Sequence, residues 1–426
     1  MMACNPDNAK IINNWRNSKS IKMQHFKHIT IATDKFKGGL SSSEAACAIK
    51  KGLQSAVQGR FSKNGKDKAY YNIVAIADGG DGSADIFKGA TGAEEVFCRA
   101  AGPLGNRVKS SFMYCRSNKT AFIEMAKVSG LAMVPAEKRN PMHTTSYGLG
   151  EVIIKAAKLG AKHIIIGIGG SATNDGGTGM LQALGCKFVD ASGSFCVGKR
   201  AGTEMFMTGG KLERINRIIW EAGRYSKKEL LEKIKITVIC DVVNPLTGHN
   251  GATYAFGVQK GANKKELAAM ERGMKNFVQA AGYNDVQKIT LAEKVANSPG
   301  AGAAGGLGFA LAYFLKAEKM SGFDYFAEVQ NLKSKIKKSD LIISGEGMID
   351  AQSLNGKVVG GVIKLSGGKK KIWLFCGASK IKSGKNFKIF PMSDIEPDLK
   401  KRMGAERIFL RERACAAVLE ESAGIE

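Results

Sequence analysis

The sequence predicts a two-domain α/β protein: a Rossmann- or flavodoxin-like parallel-sheet domain built from both chain ends, with a second, mixed α/β domain inserted. Three observations predict it. Five short β-branched runs each end abruptly in a polar, Gly-rich or acidic turn. Helical patterns follow most of them, and such alternation builds largely parallel sheets. Finally, 426 residues exceed the size at which one hydrophobic core keeps growing.

In order, the runs are HITIA before Asp34, YNIVAIA before Asp78, HIIIGI before Gly169, ITVIC before Asp241 and DLIIS before Gly345. A helix is expected over 42–53, where Ala45, Ile49 and Leu53 recur every four residues. Ser41, Ser42 or Ser43 would cap it, and Glu44 sits where the helix dipole favours an acid. Another helix is expected over 178–184. Between 94 and 125, EEVFCRA, KSSFMYC and TAFIEM are separated by GPLGN and RSN turns, the pattern of antiparallel hairpins. YAFGV at 254–258 reads as a further short strand, and KIWLFCG and RIFL as two buried strands near the C-terminus. The expected division is an N-terminal extension over 1–24, an α/β domain from 25–92 and 310–426, and the inserted domain over 93–309.

Composition narrows the function. The 64 Lys and Arg against 38 Asp and Glu give a formal charge of +26, a field that attracts anions. The basic clusters at 63–68, 333–338 and 369–371 lack interleaved aromatics, so they read as solvated surface and no nucleic-acid partner is expected. No apolar run approaches the roughly 20 residues needed to span a bilayer, so no membrane partner is expected either. Nine scattered cysteines without a CxxC pair fit reduced thiols in the cytoplasm. Lys10, Arg16, Lys19 and Lys22 in the N-terminal extension leave an organellar presequence as the alternative.

Ligands of open α/β sheets bind beyond the carboxyl ends of the strands. In a chain poor in acids, those exits hold Asp34, Asp78, Asp81, Asp175, Asp241, Glu346 and Asp350. The run 167–179, GIGGSATNDGGTG, carries six glycines, two threonines and one serine between a strand and a helix. Such a loop lets backbone N–H groups and a helix start approach an anion. Gly169, Gly170, Ser171, Thr173, Asn174, Gly176 and Gly177 are therefore candidate phosphate contacts, with Lys357 as a mobile charge. The GxxxxGK[ST] cradle is absent, and the GxGxxG at Gly300, Gly302 and Gly305 follows Ser298-Pro299 instead of a strand. It reads as a Gly/Ala-rich helix start that lets backbone pack closely on backbone or on a ligand. The five histidines show no metal spacing.

DKFKGGLS, ADGGDGS, IEMAKVSGL, RNPMHTTSYGLGE, IGIGGSATNDGGTGMLQALG, CDVVNPLTGHNGA, FGVQKGA, PGAGAAGGLG and SGEGMIDAQSLNGK occur in that order. Together they resemble the type I glycerate kinases, from about His28 to near the C-terminus. The resemblance implies a two-domain fold with a cleft, and ATP and Mg2+ as cosubstrates. It implies transfer of the γ-phosphoryl group to D-glycerate, giving 2-phosphoglycerate. The alternatives are 3-phosphoglycerate as product, a related small hydroxy acid as substrate, or a non-catalytic ligand-binding regulator of the same fold. Lys35 stands where the family carries Ser, and Asp81 and Ser83 where it carries Glu and Thr.

Chemistry assigns the expected roles. Asp175 or Asp34 takes the proton of the attacking hydroxyl. A subset of Asp78, Asp81, Asp241 and Glu346 holds Mg2+, a hard cation that prefers oxygen. Lys37 pairs with the substrate carboxylate, alongside Asn244 and Asp350.

Overall fold

A computed structural model of the chain describes residues 26–36, 39–58, 69–200, 203–221, 223, 226–283, 285–355 and 357–423. The chain forms two compact units, one from residues up to Ala77 and from Phe323 onward, the other from Asp78 to Gly322. Each is an α/β body with its own sheet.

The first unit carries five parallel strands. Their order across the sheet is Phe387–Pro391, Lys371–Ser379, Leu341–Ile349, His28–Ile31 and Tyr70–Ile73. Numbered within this unit, that order reads 5-4-3-1-2, the flavodoxin-like arrangement. Its three central strands are near-continuous apolar runs because both faces are covered. Ile29, Ile31, Leu341, Ile343, Trp373 and Phe375 are all fully buried. The helix Ser42–Gln58 begins as expected, with the Ser41 hydroxyl accepting from Glu44 N at 3.3 Å while the Glu44 carboxylate accepts from Ser41 N at 3.0 Å. The expected strand at 407–410 is instead part of the helix Glu406–Ala423. Leu410, Ala414 and Ala417 recur at helical spacing and are buried against the other helix and the sheet, so the longer period decides the segment.

The second unit carries a six-stranded sheet in the order Glu318–Met320, Lys235–Ile239, His163–Gly167, Thr120–Glu124, Arg107–Cys115 and Glu94–Ala101. The first four are parallel, and the last two fold back antiparallel as the turn signals predict. Residues 254–258 are not a strand. Ala252–Phe256 is a helical turn that buries Ala252 and Thr253 and leaves Tyr254 outside. No helix among the described residues is long and apolar enough to cross a membrane, and every described cysteine is a free thiol.

The glycine run after Pro299 does pack backbone on backbone. It leads into the helix Ala303–Leu315 through three left-handed residues, Ala304, Gly305 and Gly306. Gly305 has φ +68°, and a side chain there would collide with the Thr173 carbonyl oxygen and approach the Asn174 Cα to 2.6 Å. Its own carbonyl accepts from Gly176 N at 2.9 Å. Gly305→Ala should therefore destabilise the chain by about 2–3 kcal/mol through overpacking and left-handed strain, read as a lowered urea midpoint.

Candidate active site

In the first unit the sheet order reverses between His28–Ile31 and Leu341–Ile349, the switch point at which such sheets bind ligands. Asp34 leaves the first of these strands and donates its N–H to the Gly345 carbonyl at 2.9 Å. That bond sets Asp34 beside Glu346, both half-buried. The Asp34 carboxylate also accepts from Lys35 N at 2.7 Å, while the Lys35 side chain is exposed. Lys37 lies outside the described residues. Asp350, an expected substrate contact, caps a helical turn. Its Oδ1 accepts from Gln352 N at 2.9 Å and Ser353 N at 3.1 Å, opening the helical turn Ala351–Asn355. The Ser353 N–H leads the contacts that hold its carboxyl below the usual range. Lys357 begins the helix Lys357–Ser366.

In the second unit, 78–80 cross the carboxyl ends of the central parallel strands. A side chain at Gly79 (φ +80°) would meet Ile239, and Gly169 N donates to the Gly79 carbonyl at 3.4 Å. Asp78 is half-buried and accepts from Gly80 N at 3.0 Å, and Asp81 is exposed. Asp241 is exposed at the next strand end and accepts from Gly322 N at 2.9 Å. Asn244 donates to the Asn250 carbonyl at 2.8 Å, tying its loop closed.

Two residues at this edge escaped the sequence reading. Glu124 ends its strand buried, accepting from Ala84 N at 2.9 Å at the start of the helix Ser83–Thr91. Burial raises its carboxyl above the ordinary range against that N–H and the Lys127 ammonium, 3.9 Å away. Both stand in IEMAKVSGL, where their signal was an acid and a base three residues apart, directly after a strand.

The Gly-rich loop is mostly interior. Gly170 is exposed, Gly169 half-buried and Ser171 8% exposed, but every residue from Ala172 to Met180 is buried. Thr173, Asn174, Gly176 and Gly177 thus face the protein, not a ligand, which corrects their expected direct phosphate contact. At Gly177 a side chain would come within 2.6 Å of the Ala310 Cβ. Asn174 donates to Thr253 Oγ1 at 3.1 Å.

Asp175 is 0% exposed. Its Oδ2 accepts from Ser146 N (2.8 Å), Ser146 Oγ (2.7 Å) and Gly179 N (3.2 Å), and its Oδ1 from Gly177 N (3.0 Å). These donors belong to the starts of the helices Tyr147–Lys158 and Thr178–Ala183. Burial pushes the carboxyl up, and the four hydrogen bonds oppose it. A carboxylate so enclosed cannot reach a substrate hydroxyl, which leaves Asp34 as the candidate of the pair expected to accept the proton.

Lys260 was also missed, because a lone lysine in FGVQKGA looks like surface charge. It is 3% exposed, and its ammonium donates to Ser171 Oγ at 2.8 Å and to the Thr173 carbonyl at 2.7 Å. Burial pulls its pKa down to about 7, with the Asp175 charge opposing.

Acids, glycines and helix starts gathered at the carboxyl ends of parallel strands define an α/β enzyme that handles phosphorylated ligands. Comparison with known proteins narrows the class. The profile of the glycerate kinase family matches residues 29–418. The glycerate 2-kinase of Escherichia coli K12 is 44% identical over 338 residues, 79% of this chain and 81% of that protein. A glycerate kinase of Bacillus subtilis 168 is 41% identical with the same coverage. A solved structure described as a glycerate kinase 2 of Salmonella typhimurium LT2 superposes with a TM-score of 0.73 at 34% identity, covering 93% of this chain and 98% of that one. The chain belongs to the glycerate kinase family, and is a phosphotransferase.

Two predictions follow from the interior charges. Asp175→Asn sets an amide NH2 against N–H donors in either orientation, so it should lower stability by about 2–4 kcal/mol, seen in chemical denaturation. Between pH 7 and about 10 the unfolded chain holds a proton on Lys260 that the folded chain releases, so wild-type stability should rise across that window. In Lys260→Met this contribution should vanish, as paired urea titrations at both pH values would show.

Proposed function

We propose that the protein transfers the γ-phosphoryl group of ATP to D-glycerate, giving 2-phosphoglycerate. The observation that carries this reading is the 44% identity, across 79% of the chain, to a protein named glycerate 2-kinase. Phosphoryl transfer needs positioning and charge neutralisation more than covalent help from the protein. Asp34, half-buried at the switch point, takes the proton from the attacking hydroxyl. Lys37, three residues on, pairs with the glycerate carboxylate, and Asn244 is a further substrate contact. Gly169 and Gly170, the part of the loop that reaches the surface, meet phosphate oxygens with Ser171 just beneath them, and Lys357 adds a charge.

Mg2+ binds nucleotides through one or two carboxylates, the remaining positions falling to phosphates and water. No group of three or more His, Cys, Asp or Glu gathers as a dedicated cage among the described residues. Asp78 and Asp241 supply hard oxygens at the strand ends of the second unit and fit such a sparse site. Asp81 and, beside Asp34, Glu346 are the alternatives, and one or two of these four acids would hold the ion. When bound, Mg2+ neutralises charge on the phosphates.

The purified full-length chain should consume ATP with D-glycerate and yield 2-phosphoglycerate, identified by NMR. No turnover, or 3-phosphoglycerate as the product, rejects the reading. Asp34→Asn should lower kcat by at least ~100-fold with stability retained, the scale of a lost acid–base group. Near-normal turnover in that variant removes Asp34 from the role.

A further inference from the structure

We infer that Lys260 is a positioning residue, whose ammonium, sealed beneath the Gly-rich loop, sets the shape in which Gly169, Gly170 and Ser171 meet the phosphates of ATP. The inference rests on the phosphate-binding role proposed for those three residues.

Burying a lysine forfeits rotamer freedom and the hydration of a charge, so an apolar residue of similar length would fill the same volume at lower cost. What the ammonium adds is geometry. It is a donor-only group with three N–H bonds. Two of them gather the Ser171 hydroxyl and the Thr173 carbonyl from below, on either side of Ala172. The approach is fixed by the backbone that carries Lys260. The short helical turn Val258–Lys260 ends at Gly261 with φ +97°, where a side chain would collide with the Arg139 carbonyl.

Further along the same loop the chemistry is reversed. Asp175 is acceptor-only and gathers four donors. Between these two centres the loop has little room to change shape. Its outer strand is also held, since Leu131 N donates to the Gly170 carbonyl and Ala172 N to the Ser129 carbonyl, both at 2.8 Å. Ser171 is the residue common to both sets of restraints: its hydroxyl is tied to Lys260 and its backbone bridges to Gly130. In its protonated form Lys260 also places a positive charge in a low-dielectric interior below this segment, which raises the potential at its outer face, where an anion would sit. Lys260 touches no substrate in this arrangement, and acts through Ser171 and Thr173.

The test uses the full-length chain with Lys260→Met, which keeps the stem, and Lys260→Gln, whose amide still offers donors without charge. In Lys260→Met the KM for ATP should rise about 10- to 100-fold while that for D-glycerate stays within about threefold, the scale of a lost charged hydrogen bond acting on one ligand. Lys260→Gln should fall between the two. Amide exchange across 169–177 should quicken at least ~10-fold in Lys260→Met, with the strand His163–Gly167 as protected as before. A folded Lys260→Met with wild-type ATP KM and wild-type loop exchange overturns the inference. So does failure of both variants to fold, which would make Lys260 a residue of the fold alone. If the wild type shows no turnover with ATP and D-glycerate, the functional reading fails, and exchange in the loop decides the role of Lys260 by itself.

Discussion

The second unit depends on keeping one carboxylate inside the protein. Asp175 joins the starts of two helices by taking their N–H groups onto one side chain. Helix starts carry unsatisfied donors and a partial positive charge, and an enclosed anion answers both. The glycines around it serve the same end. Gly177 lets the helix Ala303–Leu315 approach, and Gly305 lets the loop backbone be covered by another backbone. A loop built this way is a rigid mount for a small exposed tip, in place of a flexible cradle exposed along its length.

The first unit reaches the same end by topology. Its sheet reverses direction of growth between two parallel strands, and the backbones that leave them separate there. Asp34 and Glu346 lie side by side there because the strands are paired in register, Ile31 with Ile343; Asp34 stands past the end of its strand, while Glu346 is still within Leu341–Ile349. The acid is therefore placed by the sheet itself, and the Asp34 N–H bond to Gly345 extends the pairing past the ladder.

Much of this was legible in the sequence, and the exceptions share a cause. The strands before Asp34, Asp78, Gly169 and Asp241 could be read because a buried strand is a short β-branched run with a polar end, whereas the one expected to stop at Gly345 runs on through Glu346 to Ile349. The hairpins over 94–125 could be read from their turns. The segment 407–410 misled because its four residues fit a strand, while the helical period shows only when Ala414 and Ala417 are counted with them. Gly-rich residues 173–177 misled for a different reason. Glycine permits close approach of a ligand or of another backbone, and local sequence does not say which. The partner here, Gly305, lies about 130 residues away. Lys260 and Asp175 were hidden by the same distance, since burial of a charge depends on what folds over it. Asp350 also has the ordinary use of an acid after a strand, capping the next helical turn.

The register of the first sheet also bears on how the chain is made. Ile29 pairs with Leu341, so the opening strand must await a partner that leaves the ribosome some three hundred residues later, on the order of tens of seconds at ordinary elongation rates. The intervening 78–322 contains a complete sheet and core, and can reach its native state during that delay. The apolar strands His28–Ile31 and Tyr70–Ile73 meanwhile form an unfinished edge, the kind of surface that chaperones cover and aggregates recruit. The long interruption makes this protein's yield in a cell a matter of kinetics during synthesis as well as of final stability.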